Sequence, residues 1–260
     1  MRRIKVNGHV LEVYEGIDEL PIINFQKYNK YLLIDAGVGS DVDSIGQHIV
    51  SLAKLIGADD KEKALAELEN LQNNLIMINS EISPANLAFI ALVHSIDGEK
   101  LTDLSDTGLK TQLEKIKGAR QSALMELLSG LKKNYSDELE TYFPGLFGAD
   151  SRQKEALDRM VSRLKFLYDT IIDPENEILY VEKIKEIDTE ELKRYKPKRF
   201  VGKTSIEIKY DKQFESSCAL ISQKVGLDAK FMTVRQYYTT LEVIKKQADA
   251  EQKAYNKYKR

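Results

Sequence analysis

The sequence has little cysteine, no tryptophan and no long apolar run. Its 260 residues include one cysteine, Cys218, so no disulfide can form within the chain. No stretch of about 18 apolar residues occurs, so we expect no membrane-spanning helix and no membrane partner. The basic residues 1–10 are not followed by the apolar segment of a secretory signal. These absences predict a protein made in a reducing cytoplasm.

The chain also lacks an excess of charge of either sign. Its 39 basic and 41 acidic residues give a formal net charge of -2. This balance argues against a globally basic nucleic-acid-binding protein, and also against a disordered acidic chain, while local basic patches remain possible. With 42% hydrophobic residues, the chain can bury a core without metals or disulfides. The length fits one large domain or two small ones.

Two glycine motifs resemble phosphate-binding loops but are incomplete. In residues 37–42, GVGSDV, Val42 stands where the dinucleotide fingerprint needs its third glycine, and a predicted helix precedes the motif. Residues 202–204, GKT, resemble the end of a P-loop, but Pro197 occupies the position of the first glycine and a predicted strand follows. We therefore expect no nucleotide cofactor and no small-molecule ligand.

Metal-binding and nucleophilic motifs are also missing from the sequence. His9, His48 and His94 are too far apart for a local metal site, and His94 fits a buried helix. Cys218 lies beside apolar residues and fits a buried thiol better than a nucleophile. Aspartates between positions 35 and 43 could bind a cation, but they fit helix capping better. We expect no catalytic residue and no metal.

The N-terminal half is predicted to be a β-hairpin followed by helices. Asn7-Gly8 predicts a two-residue turn within residues 4–14, because both residues tolerate positive φ. Ser40 with Asp43 resembles a capping box, and Ser83-Pro84 is typical of a helix start. Apolar spacing then predicts helices over residues 22–34, 40–56, 60–79, 83–96, which includes a buried segment Leu87–Ile96, and 109–116.

The C-terminal half is predicted to be helical with a small β insertion. Gly118 is a plausible boundary, which divides the chain into domains 1–118 and 119–260. Residues 178–187 and 204–210 are rich in β-branched and aromatic residues, so they could pair as antiparallel strands within about 178–210. Helices are expected over residues 119–135, 151–171, 212–225 and from 233 onward. The predicted fold class is mainly α (α+β), with an N-terminal β-hairpin and this small antiparallel element.

A basic segment stands out in the otherwise balanced charge pattern. No acidic residue occurs between positions 193 and 203, where Tyr195 and Phe200 interleave with the cations. Such a segment could contact DNA phosphates non-specifically, meet an acidic surface on a neighbouring protein, or remain a solvated loop. The six basic residues are Lys193, Arg194, Lys196, Lys198, Arg199 and Lys203.

The C-terminal helix changes character along its length. From Thr233, which forms a capping box with Gln236, to Ala248 it carries a continuous apolar stripe. Residues 245–260 then contain six basic and two acidic residues. Two tyrosines three positions apart share one face of this extension, which predicts a contact between subunits. The candidate contact residues are Tyr255, Lys257, Tyr258 and Arg260.

Four segments together resemble virion proteins of crAss-like, Bacteroides-type tailed bacteriophages. They are FQKYNKYLLIDAGVGSD (25–41), SEISPANLAFIALVHSIDG (80–98), DLSDTGL (103–109) and MTVRQYYTTLEVIKK (232–246). The last one also resembles the closing helix of phage tail-assembly proteins. None of these motifs is catalytic.

The resemblance implies a structural protein of the virion, such as a ring-forming component of the neck or tail connector below the portal. Its partners would be copies of itself in a ring and other tail or portal proteins, with non-specific DNA contact possible. It would be assembled in the host bacterial cytoplasm and reside in the virion. Two alternatives stay open: a tail-assembly chaperone, and an intracellular adaptor or nucleic-acid-binding protein unrelated to any virion.

Overall fold

The chain folds into a helical body with one small sheet. The computed structural model describes residues 1–79, 83–116, 121–148, 151–195, 197–200, 202–203 and 205–258. The strands of these residues are β1 (Arg2–Val6), β2 (His9–Val13), β3 (Val93–Ile96) and β4 (Glu99–Lys100). The helices are α1 (Ile22–Val38), α2 (Val42–Gly57), α3 (Lys61–Asn79), α4 (Pro84–Ala91), α5 (Asp106–Lys115), α6 (Gln121–Tyr142), α7 (Pro144–Phe147), α8 (Ser151–Ile172), α9 (Glu177–Arg194), α10 (Ile206–Val225) and α11 (Val234–Tyr258). The predicted mainly α class is confirmed.

The sheet consists of two antiparallel hairpins side by side, in the order β1-β2-β3-β4. Asn7 and Gly8 have φ values of 48° and 86°, so the predicted two-residue turn between β1 and β2 is confirmed. Asp97 and Gly98 repeat this conformation at 51° and 85° and connect β3 to β4. Leu11 pairs with Ile96, which joins the two hairpins.

The buried segment Leu87–Ile96 is only partly helical, so the prediction of one continuous helix is wrong. Helix α4 ends at Ala91, and the chain enters β3 after Leu92, whose carbonyl oxygen accepts a hydrogen bond from Tyr14 N. The β-branched Val93 and Ile96 suit a strand, and β2 supplies an edge with which they can pair. The segment is buried as predicted, because its apolar residues lie beneath the sheet and α1.

The core draws its residues from both halves of the chain. Helix α1 contributes buried residues around most of its circumference, and α4 is buried along nearly its whole length. Helix α6 adds leucines and Tyr135, and the start of α11 adds Val234 and Tyr237. The predicted boundary at Gly118 lies outside the described residues, so the division into two domains stays a prediction. The buried apolar residues of α1 are Ile22, Phe25, Tyr28, Tyr31, Ile34 and Val38.

The predicted β insertion in the C-terminal half is wrong in the described residues. Residues 178–187 lie inside α9, and residues 206–210 form the first turns of α10, while residue 204 lies outside the described part. The alternation of Ile206, Ile208 and Tyr210 indicated a strand, but Ser205 caps the N-terminus of a helix by accepting a hydrogen bond from Glu207 N. Short segments rich in β-branched residues are ambiguous in sequence, and here helical packing decides.

Helices α8 and α9 form an antiparallel hairpin that lies outside the core. A 3-10 turn over Pro174–Asn176 reverses the chain between them. No described side chain from Leu157 to Tyr195 is buried, in contrast to the helices of the body. The hairpin is therefore held to the body mainly by contacts near the end of α9.

Candidate interaction surfaces

The outer face of α8 is apolar and exposed. Six side chains at helical spacing, which we call the α8 stripe, are each 57% to 77% exposed. Their spacing places them on one side of the helix. Such a stripe in a surface helix ordinarily faces the core, so its exposure makes it a candidate interaction surface. The α8 stripe consists of Leu157, Met160, Val161, Leu164, Tyr168 and Ile171.

The opposite side of α8 packs on α9 through charged contacts. Arg159 Nε donates to Glu191 Oε1 at 2.5 Å, and Arg163 Nε donates to Asp188 Oδ1 at 2.7 Å. The hydrogen bond from Arg163 lowers the pKa of Asp188 from its usual range. Phe166 also stacks on Tyr180 inside the hairpin, with ring centroids 6.4 Å apart. The ion pairs and this aromatic contact thus lie between α8 and α9, and the α8 stripe lies outside.

A second apolar stripe lies on the outside of α2. Val42, Ile49 and Ile56 repeat at seven-residue spacing and are 52% to 74% exposed. Gly46 and Ala53 lie between them and are also exposed. We call these five residues the α2 stripe. A Cβ atom added to Gly46 would have no heavy atom within 4 Å, so the two small residues leave shallow depressions in this face.

Helix α3 buries a polar face, although its leucines recur at helical spacing. Leu65, Leu68 and Leu75 are exposed, whereas the neighbouring face of the helix is buried. The buried residues of α3 are Ala66, Glu67, Asn70 and Asn74. Glu67 and Asn74 Nδ2 have hydrogen-bond partners in other elements, so the sequence of α3 alone contains no signal for this inversion. The amide oxygens of Asn70 and Asn74 are buried without a hydrogen-bond partner among the described residues.

A buried polar cluster connects this face of α3 to α2 and to the residue that follows α9. His48 Nδ1 lies 2.9 Å from Glu67 Oε1, and Tyr195 OH donates to Glu67 Oε2 at 2.9 Å. His48 Nε2 lies 2.9 Å from the carbonyl oxygen of Val38, which can only accept, so this nitrogen carries a hydrogen. Lys63 Nζ donates to the carbonyl oxygen of Leu192 nearby. These contacts attach the α8–α9 hairpin to the body.

The basic segment does not form one patch of free cations. Lys193 and Arg194 lie in the last turn of α9, where positive charge is favoured by the helix dipole. Arg199 donates two hydrogen bonds to Glu69, at 3.0 Å and 2.7 Å, and this carboxylate raises the pKa of the Arg199 guanidinium. Lys198 and Lys203 are exposed, and Lys196 lies outside the described residues. Contact with DNA stays a prediction.

Lys198 also borders an open groove of about 640 Å³ on the helical body. Its floor includes Tyr28, Tyr135 and Tyr238, and Lys132 lies at its edge. Burial raises the pKa of Tyr28 to about 12, so its hydroxyl stays protonated at neutral pH. Its lining residues come from helices that are distant in sequence, so no local sequence pattern could indicate this groove.

The C-terminal extension continues the last helix. Helix α11 runs to Tyr258, so Tyr255, Lys257 and Tyr258 belong to it. The side chains of these three residues, and Arg260 entirely, lie outside the described part of the structure. A contact between subunits through this extension therefore stays a prediction.

The histidines and the cysteine occupy separate structural positions. His9 Nδ1 lies 2.6 Å from Asp97 Oδ2, and this hydrogen bond lowers the pKa of Asp97. His94 lies in β3 and not in the predicted helix, and its Nδ1 is 2.9 Å from Tyr14 OH. Cys218 is buried, and burial raises its pKa to about 11. In the described residues, no three potential ligands come together as a metal site.

Comparisons with protein-family models, with curated proteins and with solved structures find no match to this chain. Among the described helices, none is sufficiently long and apolar to cross a membrane. The exposed faces and the resemblance of the sequence motifs are therefore the observations that bear on function.

Proposed function

We propose that this chain is a structural subunit that assembles with copies of itself, as a ring-forming component in the neck or tail connector of a tailed bacteriophage. The α8 stripe is the observation that carries the assembly role. The four sequence segments that resemble phage virion proteins supply the setting. Other virion tail or portal proteins would then be its further neighbours.

The size of the α8 stripe supports assembly. Full burial of one large aliphatic side chain is worth about 1.5–3 kcal/mol, which at about 25 cal/mol per Å² corresponds to roughly 60–120 Å² of surface. At the observed exposures the stripe then presents roughly 200–450 Å² of apolar area. A standard interface buries about 800 Å² per partner and is a little over half apolar. The stripe has the size of the apolar centre of such an interface.

The oligomeric state of the full chain tests the assembly role. We expect light scattering or native mass spectrometry to show a defined oligomer. Leu164→Asp is expected to shift this oligomer to monomers, because it places a charge in the middle of the α8 stripe. Ser162→Asp is the matched control, since Ser162 is exposed on the same helix outside the stripe. A native chain that stays monomeric at high concentration would contradict the proposal.

Mass spectrometry of purified particles separates the ring protein from the chaperone alternative. A connector subunit remains in the finished particle in a fixed copy number. A tail-assembly chaperone would be present in infected cells but absent from purified particles. That result would retain a phage role and reject the structural one.

A further inference from the structure

The exposed faces of the chain differ from one another, and a ring needs two different faces. A closed ring with rotational symmetry above twofold is built from heterologous contacts, in which one patch meets a different patch on the next copy. The partner of the α8 stripe would then lie elsewhere on the same chain. This step rests on the proposed function.

The α2 stripe matches the α8 stripe in spacing and length. Leu157, Leu164 and Ile171 repeat every seven residues along α8, as do Val42, Ile49 and Ile56 along α2. Each series spans fourteen residues, or about 21 Å at 1.5 Å per residue. A shared seven-residue repeat is the condition for two helices to interlock their side chains along a common seam.

The two stripes are also complementary in side-chain size. On α2 the large residues alternate with Gly46 and Ala53, whereas α8 has Met160, Val161 and Tyr168 between its repeated positions. Large side chains of α8 can therefore enter the depressions of α2. Glycine inside a helix is less stable than alanine, and no described neighbour in the chain requires it at position 46. Close approach of a second helix would explain why a glycine occurs at position 46.

We infer that the α8 stripe of one copy packs against the α2 stripe of the next copy and so forms the repeated contact of the ring. The projecting position of the α8–α9 hairpin lets α8 reach beyond its own body. With the two series aligned over their full length, their central residues, Leu164 and Ile49, face each other whether the helices run parallel or antiparallel. The occupant of each stripe is thus a second copy of this chain.

Disulfide trapping of the full chain tests this contact. Ile49→Cys and Leu164→Cys are made as separate variants, and Cys218 is kept because it is buried. On mild oxidation, we expect covalent dimers when the two variants are mixed and none from either variant alone. A chain with both substitutions is expected to give a ladder of covalent oligomers. The native chain and a mixture of Ile49→Cys with Ser162→Cys are the controls.

Other outcomes identify what has failed. Covalent dimers from Leu164→Cys alone would show that α8 meets α8 across a twofold axis, and would overturn the inference. An oligomeric chain that never forms the mixed disulfide would overturn the pairing and leave the proposed assembly role standing. A monomeric chain would contradict the proposed function itself.

A second pair of variants tests the depression at Gly46 without cysteines. Gly46→Phe fills it, so we expect association to weaken about tenfold or more, while the unfolding midpoint of the dissociated monomer does not fall. Gly130→Phe is the matched control, because Gly130 also lies in a helix with open space around it. Equal association of the two variants would overturn the inference.

Discussion

At the scale of single residues, turns and helix caps are predictable where they depend only on neighbouring residues in the sequence. The turn at Asn7-Gly8 follows from the tolerance of these two residues for positive φ, and Thr233 with Gln236 forms the expected capping box. The cap of α2 is Asp41 and not the predicted Ser40, because the Asp41 carboxylate accepts a hydrogen bond from Ser44 N. Two adjacent residues can both cap a helix, so the sequence alone does not choose between them.

Gly8→Val is expected to destabilise the fold by about 1–2 kcal/mol, since a β-branched residue resists a φ of 86°. No heavy atom would lie within 4 Å of the new Cβ, so the cost is one of backbone conformation alone. Gly8→Asn is the matched control, because asparagine tolerates positive φ better. Chemical denaturation measures both, and equal stabilities would contradict the assigned turn.

Asp35→Asn is expected to raise the unfolding temperature at pH 7. Burial and the nearby Asp41 raise the pKa of Asp35, so its charged form is disfavoured in the folded chain. A carboxyl group whose pKa is higher in the folded chain than in the unfolded chain contributes stability below its unfolded pKa. This contribution is lost as pH rises through its folded pKa. Asparagine avoids the buried charge and keeps an acceptor for the amide of Ala85. The rise in unfolding temperature should therefore disappear below the pKa of an aspartate in the unfolded chain, which is about 3.9.

Asp41→Asn is the control for this pH dependence. Hydrogen bonds from Ser44 lower the pKa of Asp41, so its contribution to stability is present above the unfolded pKa and lost as pH falls through the folded one. This substitution should lower the unfolding temperature at pH 7. Thermal unfolding at several pH values compares the two variants, and shifts of the same sign would refute the assignment.

At the scale of elements, periodicity predicted that helices exist but not which face each one buries. The leucines of α3 form a regular stripe, yet the structure buries Glu67, Asn70 and Asn74 instead. Glu67 is bound there by His48 and Tyr195, which are distant in sequence from one another. The signal for the α8 stripe was present in the sequence, but an amphipathic stripe ordinarily predicts burial, so its exposure could not be inferred.

Charge reversal in the basic segment should affect the ion-paired Arg199 differently from the exposed lysines. Arg199→Glu is expected to lower the free energy of unfolding, because it places a carboxylate beside Glu69. Lys198→Glu with Lys203→Glu should change stability by less than about 0.5 kcal/mol, since both lysines are exposed. If the segment contacts DNA, the double variant should weaken binding and reduce its salt dependence. Unchanged DNA binding would leave the segment as a solvated connection.

At the scale of the whole molecule, the fold class could be predicted, but the organisation of the core could not. Helical spacing and the Asn-Gly turn were sufficient to indicate a mainly α protein with a β-hairpin. One buried cluster nevertheless joins residues as distant as Val6, Tyr135 and Tyr237. Such contacts depend on how the elements pack together, and no local pattern encodes them. The predicted contact surfaces were the basic segment and the C-terminal extension, whereas the α2 and α8 stripes emerged only from the fold.

Deletion of residues 249–260 is expected to leave the monomer folded but to weaken assembly. The buried residues of α11, Val234 and Tyr237, lie at its opposite end, so the core does not depend on the extension. Far-UV circular dichroism should lose only the signal of the deleted turns. Native mass spectrometry then compares the oligomers of the full and shortened chains. Normal particles containing the shortened protein would refute the contact.

The exposed position of the α8–α9 hairpin has a consequence for the fate of unassembled chains. Because the hairpin contributes no described side chain to the core, it can open locally at a lower free energy than global unfolding. A protease should therefore cut a free subunit first between α8 and α9, and amide exchange should be fastest there. Once a neighbour covers the hairpin, the same bonds become protected. Proteases of the cell would then degrade unassembled subunits, whereas assembled subunits would be protected.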